Sequence, residues 1–258
     1  MTAIKNRDNV ADRIIKEAEK QQRSALLEPE AKTICRAYGL PLLPFEVATN
    51  KKQAVDFAEK LGYPVVLKIV SPDIMHKTEA GGVLLDLNST TEVEEGYERL
   101  LSNAKMFKRD ARIVGVLIQH MAAKGLEVIV GGLRDSQFGA VVMFGLGGIF
   151  TEVLEDVTFG ITPVSNWDAR EMIRCVRANR ILTGFRGQPP VDEGVIATII
   201  CGVSTMMDEN PSIGQLDLNP VMVGEHECSI VDARIVLVEE PSRQPITSES
   251  RSAGQKQH

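Results

Sequence analysis

Short runs of branched aliphatic residues alternate with helix-forming segments along most of the chain, and this alternation is the main constraint on its fold. Such runs predict β-strands. Some are separated by helical segments and others by short connections typical of antiparallel hairpins, so the sequence predicts an α+β fold. We expect two lobes that meet at a hinge near residues 115–125. The clearest runs are PVVLKIV, IVGVLIQHM, LEVIVGGL, FGAVVMFGLGG, IGQLDLNPVMV and CSIVDARIVLV.

The helix-forming segments have apolar residues at helical spacing and the residue types that begin and end helices. EPEAKTICRAYGLP places its apolar residues on one helical face and ends at Gly39, a residue type that commonly follows a helix. Asn50 and Ser89 are typical N-caps. We therefore predict helices over 8–22, from EPEAK to Gly39, between Asn50 and Gly62, from Ser89 to Met106, over 167–179 and over 191–208.

Composition excludes several classes of protein. The 258 residues carry a formal net charge of −6, so the chain lacks the basic excess of a general nucleic-acid binder. No uncharged run is long enough to span a membrane, and the N-terminus lacks the apolar core of a signal peptide. We therefore expect a cytoplasmic protein. The four cysteines form no CxxC pair, which argues against a zinc site or a redox motif.

Lys68 is the first residue that suggests chemistry, because it ends the apolar run PVVLK. A lysine buried there needs an anionic partner, and a phosphate is one candidate. Gly81 and Gly82 follow a loop and would let backbone N–H groups approach phosphate oxygens. Taken alone, Lys68 could equally extend its ammonium group to water, and glycine pairs occur in many ordinary turns.

His76 lies in the same loop, within SPDIMHKTEAGGV. A neutral imidazole can attack phosphorus without prior activation, and the resulting phosphoramidate is labile enough to pass its phosphoryl group to ADP. An ordinary surface histidine is the common alternative. A metal ligand is disfavoured because the other histidines show no ligand spacing. They are His120, His226 and His258.

Oxygen-bearing side chains near the end of the folded part suggest a magnesium site. Asp217 and Asn219 are two residues apart on a predicted strand, so they share one face. Asp232 is predicted to end the next strand. Mg²⁺ uses few protein carboxylates and relies on nucleotide phosphates, which suits this set. The alternative is that Asn219–Pro220 forms a turn and that Asp232 is an ordinary ion-pair partner.

Glu127 follows the predicted hinge, where its carboxylate could accept hydrogen bonds from ribose hydroxyls. A solvated strand residue is the alternative. The nearby loop FGLGGIFTEVLEDV contains Gly145, Gly147 and Gly148 but lacks GxGxxG and has no clear helix directly after it. NAD binding is therefore not predicted.

In combination and in this order, four stretches are highly specific: LLEPEAKTICRAYGLPL, LGYPVVLKIVSPDIMHKTEAGGV, LEVIVGGLRDSQFGAVVMFGLGGIFTEVLEDV and GQLDLNPVMV. They resemble the ATP-grasp beta subunits of ADP-forming acetate–CoA ligases, within the nucleoside-diphosphate-forming acyl-CoA synthetases. The beta subunit of succinyl-CoA synthetase is a more distant likeness. The resemblance implies an ATP-grasp fold with the nucleotide cleft between two lobes. It implies a small lobe with the phosphohistidine loop (25–114) and a large lobe with the metal site (115–240). Outside the resemblance, the polar composition of the two ends predicts a leader helix (1–24) and a disordered tail (241–258).

The resemblance also implies residues that bind the nucleotide, ATP or ADP. The lysine and the two glycines would contact the phosphates, the three consecutive hinge residues would lie beside adenine, and the glutamate would reach the ribose. These residues are Lys68, Gly81, Gly82, Gln119, His120, Met121 and Glu127.

The resemblance further implies residues that transfer the phosphoryl group and bind the metal ion. His76 would be a phosphohistidine on a loop that moves between two sites, and Asp217 would lie near the transferred phosphoryl group. Asn219 and Asp232 would bind Mg²⁺ directly or through water. Asp217 stands where the succinyl enzyme has glutamate.

The full reaction also requires a CoA-binding domain and a ligase domain with another phosphohistidine, for which this chain has no room. The resemblance thus implies an alpha subunit as partner, in an α₂β₂ heterotetramer that interconverts acyl-CoA, ADP and phosphate with acid, CoA and ATP. Two alternatives stay open. A self-sufficient ATP-grasp carboxylate–amine ligase would need a third lobe, and a non-catalytic nucleotide-binding regulatory subunit would not explain His76, Asn219 and Asp232 together.

Overall fold

The computed structural model describes residues 2–148, 156–184, 189–225 and 227–238. The predicted disordered tail, 241–258, lies outside these residues, as do His226, His258 and most of IFTEVLED. In chain order the elements are α1 (Thr2–Lys20), α2 (Glu28–Ala37), β1 (Phe45–Ala48), α3 (Lys51–Leu61), β2 (Val65–Val70), β3 (Val83–Leu87), α4 (Thr90–Phe107), β4 (Gly115–His120), β5 (Leu126–Asp135), β6 (Gly139–Leu146), β7 (Val157–Ile161), α5 (Asn166–Cys175), a 3₁₀ turn (Asn179–Ile181), α6 (Glu193–Glu209), β8 (Ile213–Val223), β9 (Cys228–Ile230) and β10 (Arg234–Leu237).

The predicted helix signals act as expected in the small lobe. The Asn50 side chain accepts a hydrogen bond from the Gln53 backbone N–H at the start of α3, and Ser89 accepts one from Glu92 at the start of α4. Gly62 follows α3 with a φ of +84°, a conformation that favours glycine. These local signals determine where α3 and α4 begin and where α3 ends.

The small lobe, residues 45–120, is built on a four-stranded antiparallel sheet in the order β1-β4-β2-β3. Helices α3 and α4 pack on it, and the apolar side chains of β2 at Val65, Leu67 and Ile69 join their core. All six residues of β2 are buried, which means that its other face is covered as well. Lys68 lies on that other face, in the middle of the strand.

The large lobe is built on a six-stranded antiparallel sheet in the order β10-β8-β5-β6-β7, with β9 paired to β8. Helices α5 and α6 cover one face, and α6 buries most of its apolar side chains against β5 and β6. Along β8 the side chains alternate, so that Leu216 and Leu218 are buried in this core. Asp217 and Asn219 therefore lie on the opposite face, as predicted.

The predicted lobe boundaries require correction. Strand β4 (Gly115–His120) pairs with β1 and β2 in the middle of the small-lobe sheet, so the small lobe extends past residue 114. Helix α2 packs instead in the large-lobe core, where Ile34 and Cys35 are fully buried. Helix α1 joins the same core through Ala11, Ile15 and Ala18. The apolar stripe of a helix identifies a buried face but not the sheet that covers it.

Two smaller expectations also differ from the structure. The helix predicted over 167–179 ends at Cys175, and a separate 3₁₀ turn follows. Asp232 lies in the connection before β10 rather than at the end of a strand. Within the described residues, no helix combines the length and the apolar character needed to cross a membrane.

Candidate functional site

A cavity of about 160 Å³ lies between the two lobes. Its small-lobe wall is the segment that follows β2, including Ser71, Met75 and Lys77. Its opposite wall comes from the start of α2, from strand β8 and from the connection into strand β10. The polar residues on that wall are Glu28, Asp217, Asn219, Asp232 and Arg234.

Lys68 lies behind this cavity and is already bound by protein groups. Its Nζ donates to Glu28 Oε1 at 2.7 Å and to the Val231 carbonyl oxygen at 3.0 Å, and it lies 3.5 Å from Asp232 Oδ2. The residue is only 4% exposed, so its ammonium group does not extend to water. The prediction of a buried lysine with an anionic partner holds, but the partners in this structure are carboxylates of the chain itself.

Three further charged residues of this site, Glu28, Lys32 and Lys77, were not predicted from the sequence. Glu28 is 5% exposed, and its Oε1 accepts from Lys68 and from Lys32, the latter at 2.9 Å. Its Oε2 accepts from Lys77 at 2.7 Å. Burial disfavours a charge on Glu28, but the charges of these lysines outweigh burial and hold the pKa of its carboxyl group well below the ordinary value. Glu28 is therefore a carboxylate anion shared by three ammonium groups.

Lys32 is the most deeply buried of the three lysines, with no exposed surface. Its Nζ donates to the Val231 carbonyl oxygen at 2.9 Å and to Gln119 Oε1, and it lies 5.5 Å from the centre of the Phe45 ring. Burial, aided by repulsion from Lys68, lowers the pKa of Lys32 to about 8. The Gln119 side chain thus orients a buried lysine, and its Nε2 atom has no hydrogen-bond partner among the described residues.

The lowered pKa of Lys32 predicts a specific pH dependence of stability. The unfolded chain keeps this proton up to about pH 10.5, whereas the folded chain releases it near pH 8, so rising pH favours the folded state between these values. The free energy of unfolding should rise by up to about 3 kcal/mol over this range relative to Lys32→Met. Urea denaturation of both proteins at several pH values measures this difference. A constant difference would show that folded Lys32 keeps its proton.

The structure brings the two predicted magnesium ligands, Asn219 and Asp232, to one cavity together with Asp217. Asp217, Asn219 and Asp232 all line it, and Asn219 lies within strand β8 rather than in a turn. Burial raises the pKa of Asp217, and the negative charge of Asp232 raises it further. A divalent cation between the two carboxylates would relieve this repulsion. Two carboxylates and an amide oxygen are hard donors that fit Mg²⁺.

These residues do not form a complete metal cage by themselves. Within the described parts of the chain, no group of three or more histidine, cysteine, aspartate or glutamate side chains could hold a metal ion. Mg²⁺ characteristically completes its coordination with water and substrate phosphates, so a site with few protein ligands suits a metal that arrives with a nucleotide.

His76 lies on the exposed part of the segment that forms the small-lobe wall. Its side chain is 68% exposed, and Nδ1 lies 3.9 Å from Glu79 Oε1. The residues on both sides of it, Met75 and Lys77, line the cavity. The imidazole is therefore accessible beside the cavity rather than locked in the interior.

Gly81 and Gly82 end the same segment, but packing within the small lobe already explains them. Gly81 has a φ of +58°, which favours glycine. A Cβ atom on Gly82 would lie 2.6 Å from Ile69 Cγ2 and 3.0 Å from the Lys77 carbonyl oxygen. Neither glycine lines the cavity, so the predicted approach to phosphates has no direct support from this geometry.

The predicted hinge residues lie away from this cavity. His120 Nδ1 is 2.8 Å from the Met121 carbonyl oxygen, and the Met121 N–H donates to the Pro64 carbonyl oxygen. Glu127 lies at the start of β5, where its carbonyl oxygen accepts from the Gly147 N–H at 2.7 Å. None of these three residues lines the cavity that contains Asp217.

The sequence and the fold of this chain match known proteins. A family model described as the ATP-grasp domain matches residues 17–237. The chain belongs to the ATP-grasp family. The predicted ATP-grasp fold, with its two sheet-centred lobes, is therefore confirmed. The predicted resemblance to beta subunits of ADP-forming acetate–CoA ligases is confirmed by the relatives described next.

Similar ATP-grasp chains occur both as separate subunits and within longer proteins. The beta subunit of acetate–CoA ligase [ADP-forming] I from Pyrococcus furiosus is 47% identical over 231 residues, which cover 89% of this chain and all of that subunit. Acetate–CoA ligase [ADP-forming] I from Archaeoglobus fulgidus is 46% identical over 211 residues, which cover 82% of this chain but only 31% of that protein.

A solved structure with the same architecture comes from Candidatus Korarchaeum cryptofilum. It is an acetyl-coenzyme A synthetase in complex with coenzyme A and Mg-AMPPCP, with a phosphohistidine segment that points towards the nucleotide binding site. The match has a TM-score of 0.78 at 40% identity and covers 88% of this chain and the whole of that one.

Proposed function

We propose that this ATP-grasp chain is the nucleotide-binding beta subunit of a cytoplasmic, ADP-forming acyl-CoA synthetase of the acetate type. It would interconvert acyl-CoA, ADP and phosphate with acid, CoA and ATP, together with an alpha subunit that carries the CoA-binding and ligase domains, as an α₂β₂ assembly. The observation that carries this proposal is an accessible histidine, His76, beside a cavity lined by lysine and Mg²⁺-type oxygen donors. The end-to-end match to a Pyrococcus furiosus beta subunit supports it.

The charges around the cavity suit an anionic substrate. The cluster consists of three lysines, Lys32, Lys68 and Lys77, and two carboxylates, Glu28 and Asp232, so it carries one net positive charge. Charge inside a partly desolvated site acts more strongly than the same charge in water. Nucleotide phosphates would therefore bind at the cavity side of this cluster, with Lys77 the lysine nearest to them. Lys68 would stabilise them from behind the cavity.

His76 would carry the phosphoryl group. An imidazole nitrogen attacks the γ-phosphorus of ATP, an N–P bond forms as the P–O bond to ADP breaks, and the reverse step returns the group to ADP. Asn219 and Asp232 would hold Mg²⁺, which when bound neutralises charge on the phosphates. Asp217 would lie close to the transferred group, where its carboxylate could orient the imidazole.

We propose the remaining nucleotide contacts from the family resemblance alone. Gln119, His120 and Met121 would lie beside adenine, and Glu127 would reach the ribose. The buried Nε2 of Gln119, for which the described part of the chain supplies no acceptor, is a hydrogen-bond donor near this hinge. Gly81 and Gly82 would shape the His76 segment above the phosphates.

A two-chain assay tests the proposed function directly. With acetyl-CoA, ADP, phosphate and Mg²⁺, we expect ATP formation when this chain is mixed with its alpha subunit and no ATP from either chain alone. The reason is that neither chain holds all steps of the relay. ATP-dependent joining of an acid to an amine by the isolated chain would instead support a carboxylate–amine ligase. If ATP labelled no chain, alone or in the mixture, a regulatory role would replace the proposal.

A further inference from the structure

Lys77, the residue after His76, connects the His76 segment (residues 72–82, between β2 and β3) to the large lobe. Lys77 Nζ donates to Glu28 Oε2 at 2.7 Å and lies 3.9 Å from Asp232 Oδ2. Glu28 begins α2, which packs in the large-lobe core, whereas Lys77 belongs to the small lobe. The Lys77 side chain is 21% exposed and the Glu28 side chain 2%, so this ion pair is largely shielded from water.

The other polar contacts of the segment, among the described residues, stay within the small lobe. The Asp73 carboxylate accepts from the Arg112 backbone N–H at 2.7 Å and lies 3.7 Å from Lys108. The Gly82 N–H donates to the Lys77 carbonyl oxygen at 2.7 Å, and the Gly81 carbonyl oxygen accepts from Asn103. These contacts shape the segment but would move with the small lobe, and they do not hold it against the opposite wall.

The two carboxylate oxygens of Glu28 bind lysines from different parts of the chain. Oε1 is occupied by Lys68 and Lys32, which are fixed in the floor behind the cavity. Oε2 is occupied by Lys77, which comes from the segment. Two buried lysines already hold the Glu28 carboxylate in place. Forming the ion pair with Lys77 therefore costs little further ordering of the Glu28 side chain.

We propose that the Glu28–Lys77 ion pair is a latch that holds the His76 segment against the cavity and opens whenever the segment leaves it. The proposal rests on the proposed function, in which His76 serves both this cavity and a partner. Lys77 is in this respect a positioning residue. Because Lys77 also lines the cavity, phosphate groups and Glu28 compete for the same ammonium group, which couples the latch to occupancy of the site.

Hydrogen–deuterium exchange of residues 72–82 in the nucleotide-free chain tests the latch. Lys77→Met should increase exchange at the segment about tenfold or more, because the contact to the large lobe is lost, whereas Lys77→Arg should restore protection. The matched control is Lys108→Met, which removes an exposed lysine 3.7 Å from Asp73 in the same segment. Exposed pairs contribute little, so this control should exchange like the wild type.

A second variant for the exchange experiment, Glu28→Gln, changes the other partner of the ion pair. It should accelerate exchange of the segment at least as much as Lys77→Met does, since it also removes the carboxylate that Lys32 and Lys68 share. Adding Lys77→Met to Glu28→Gln should accelerate exchange no further, because the Glu28–Lys77 ion pair is already lost. Additive effects, or exchange within twofold of wild type in Lys77→Met, would overturn the latch. If Glu28→Gln does not fold, the Lys77 variants and their control still decide the matter.

Phosphorylation supplies a separate readout. With γ-labelled ATP, His76 in the Lys77→Met variant should acquire label at least tenfold more slowly than in the wild type. In Lys77→Arg, most of the wild-type labelling rate should be recovered. If the wild-type chain takes no label at His76, the proposed function fails, yet the exchange experiment still reports on the latch. If labelling is normal but Lys77→Met leaves exchange unchanged, the latch fails and the proposed function stands.

Discussion

Replacing His76 with asparagine should abolish phosphoryl transfer, with a loss of at least about 10³-fold in acyl-CoA-dependent ATP formation. An amide nitrogen is not nucleophilic, so no N–P bond forms. The His76 side chain is 68% exposed, and the ion-pair contact that the structure gives it is to Glu79 at 3.9 Å, so the fold should not depend on it. ADP binding, measured by calorimetry, should change little, and the thermal midpoint should match that of the wild type.

The label itself provides the decisive measurement for His76. Wild-type chain incubated with γ-labelled ATP should acquire an acid-labile, alkali-stable label, as a phosphoramidate does, and His76→Asn should acquire none. Glu79→Gln, three residues further along the same segment, is the matched control and should still be labelled. Full labelling or full turnover in His76→Asn would exclude His76 as the carrier.

Replacing Glu28 with alanine should destabilise the fold by about 3–5 kcal/mol, which is the range for removing one partner of a buried ion pair. The change leaves Lys32 and Lys68, both nearly inaccessible to solvent, without the carboxylate that they share. Unpaired buried charges are costly because no water replaces the lost partner. Urea denaturation of the two proteins at neutral pH measures the difference.

The control for Glu28 is another glutamate in an ion pair with a lysine. Glu46 pairs with Lys60 at 2.7 Å, but the side chains are 36% and 66% exposed, so Glu46→Ala should change the stability little. A loss below about 1 kcal/mol in Glu28→Ala would mean that the lysines find other partners or lose their protons.

Local chemistry explains what could be predicted from the sequence. The side chains of Asn50 and Ser89 cap their helices because a short polar side chain can reach the free N–H groups of the first turn. Asp217 and Asn219 share a face because the strand repeat is two residues. These features depend on neighbours within a few positions, so sequence spacing is enough to find them. The resemblance to a family then supplied the arrangement of the lobes.

Long-range contacts explain what could not be predicted. Glu28 and Lys77 are far apart in sequence, and no spacing rule connects the start of α2 with a loop after β2. The four-residue interval between Glu28 and Lys32 in EPEAK was a visible signal, since such pairs face each other on a helix, but it does not indicate burial. The lobe boundaries failed for the same reason, because α2 packs against strands that come much later in the chain.

The short stretch between α1 and α2 pairs with strand β10, near the end of the described residues. The Leu26 N–H donates to the Ile235 carbonyl oxygen, the Leu237 N–H donates to the Ser24 carbonyl oxygen, and Ala25 forms a β-bridge with Val236. The stretch that precedes α2 thus lies beside β10, the last strand of the described residues. Segments joined before α2 and after β10 therefore leave the large lobe close together, which suits a module that is used both alone and as one portion of a larger polypeptide.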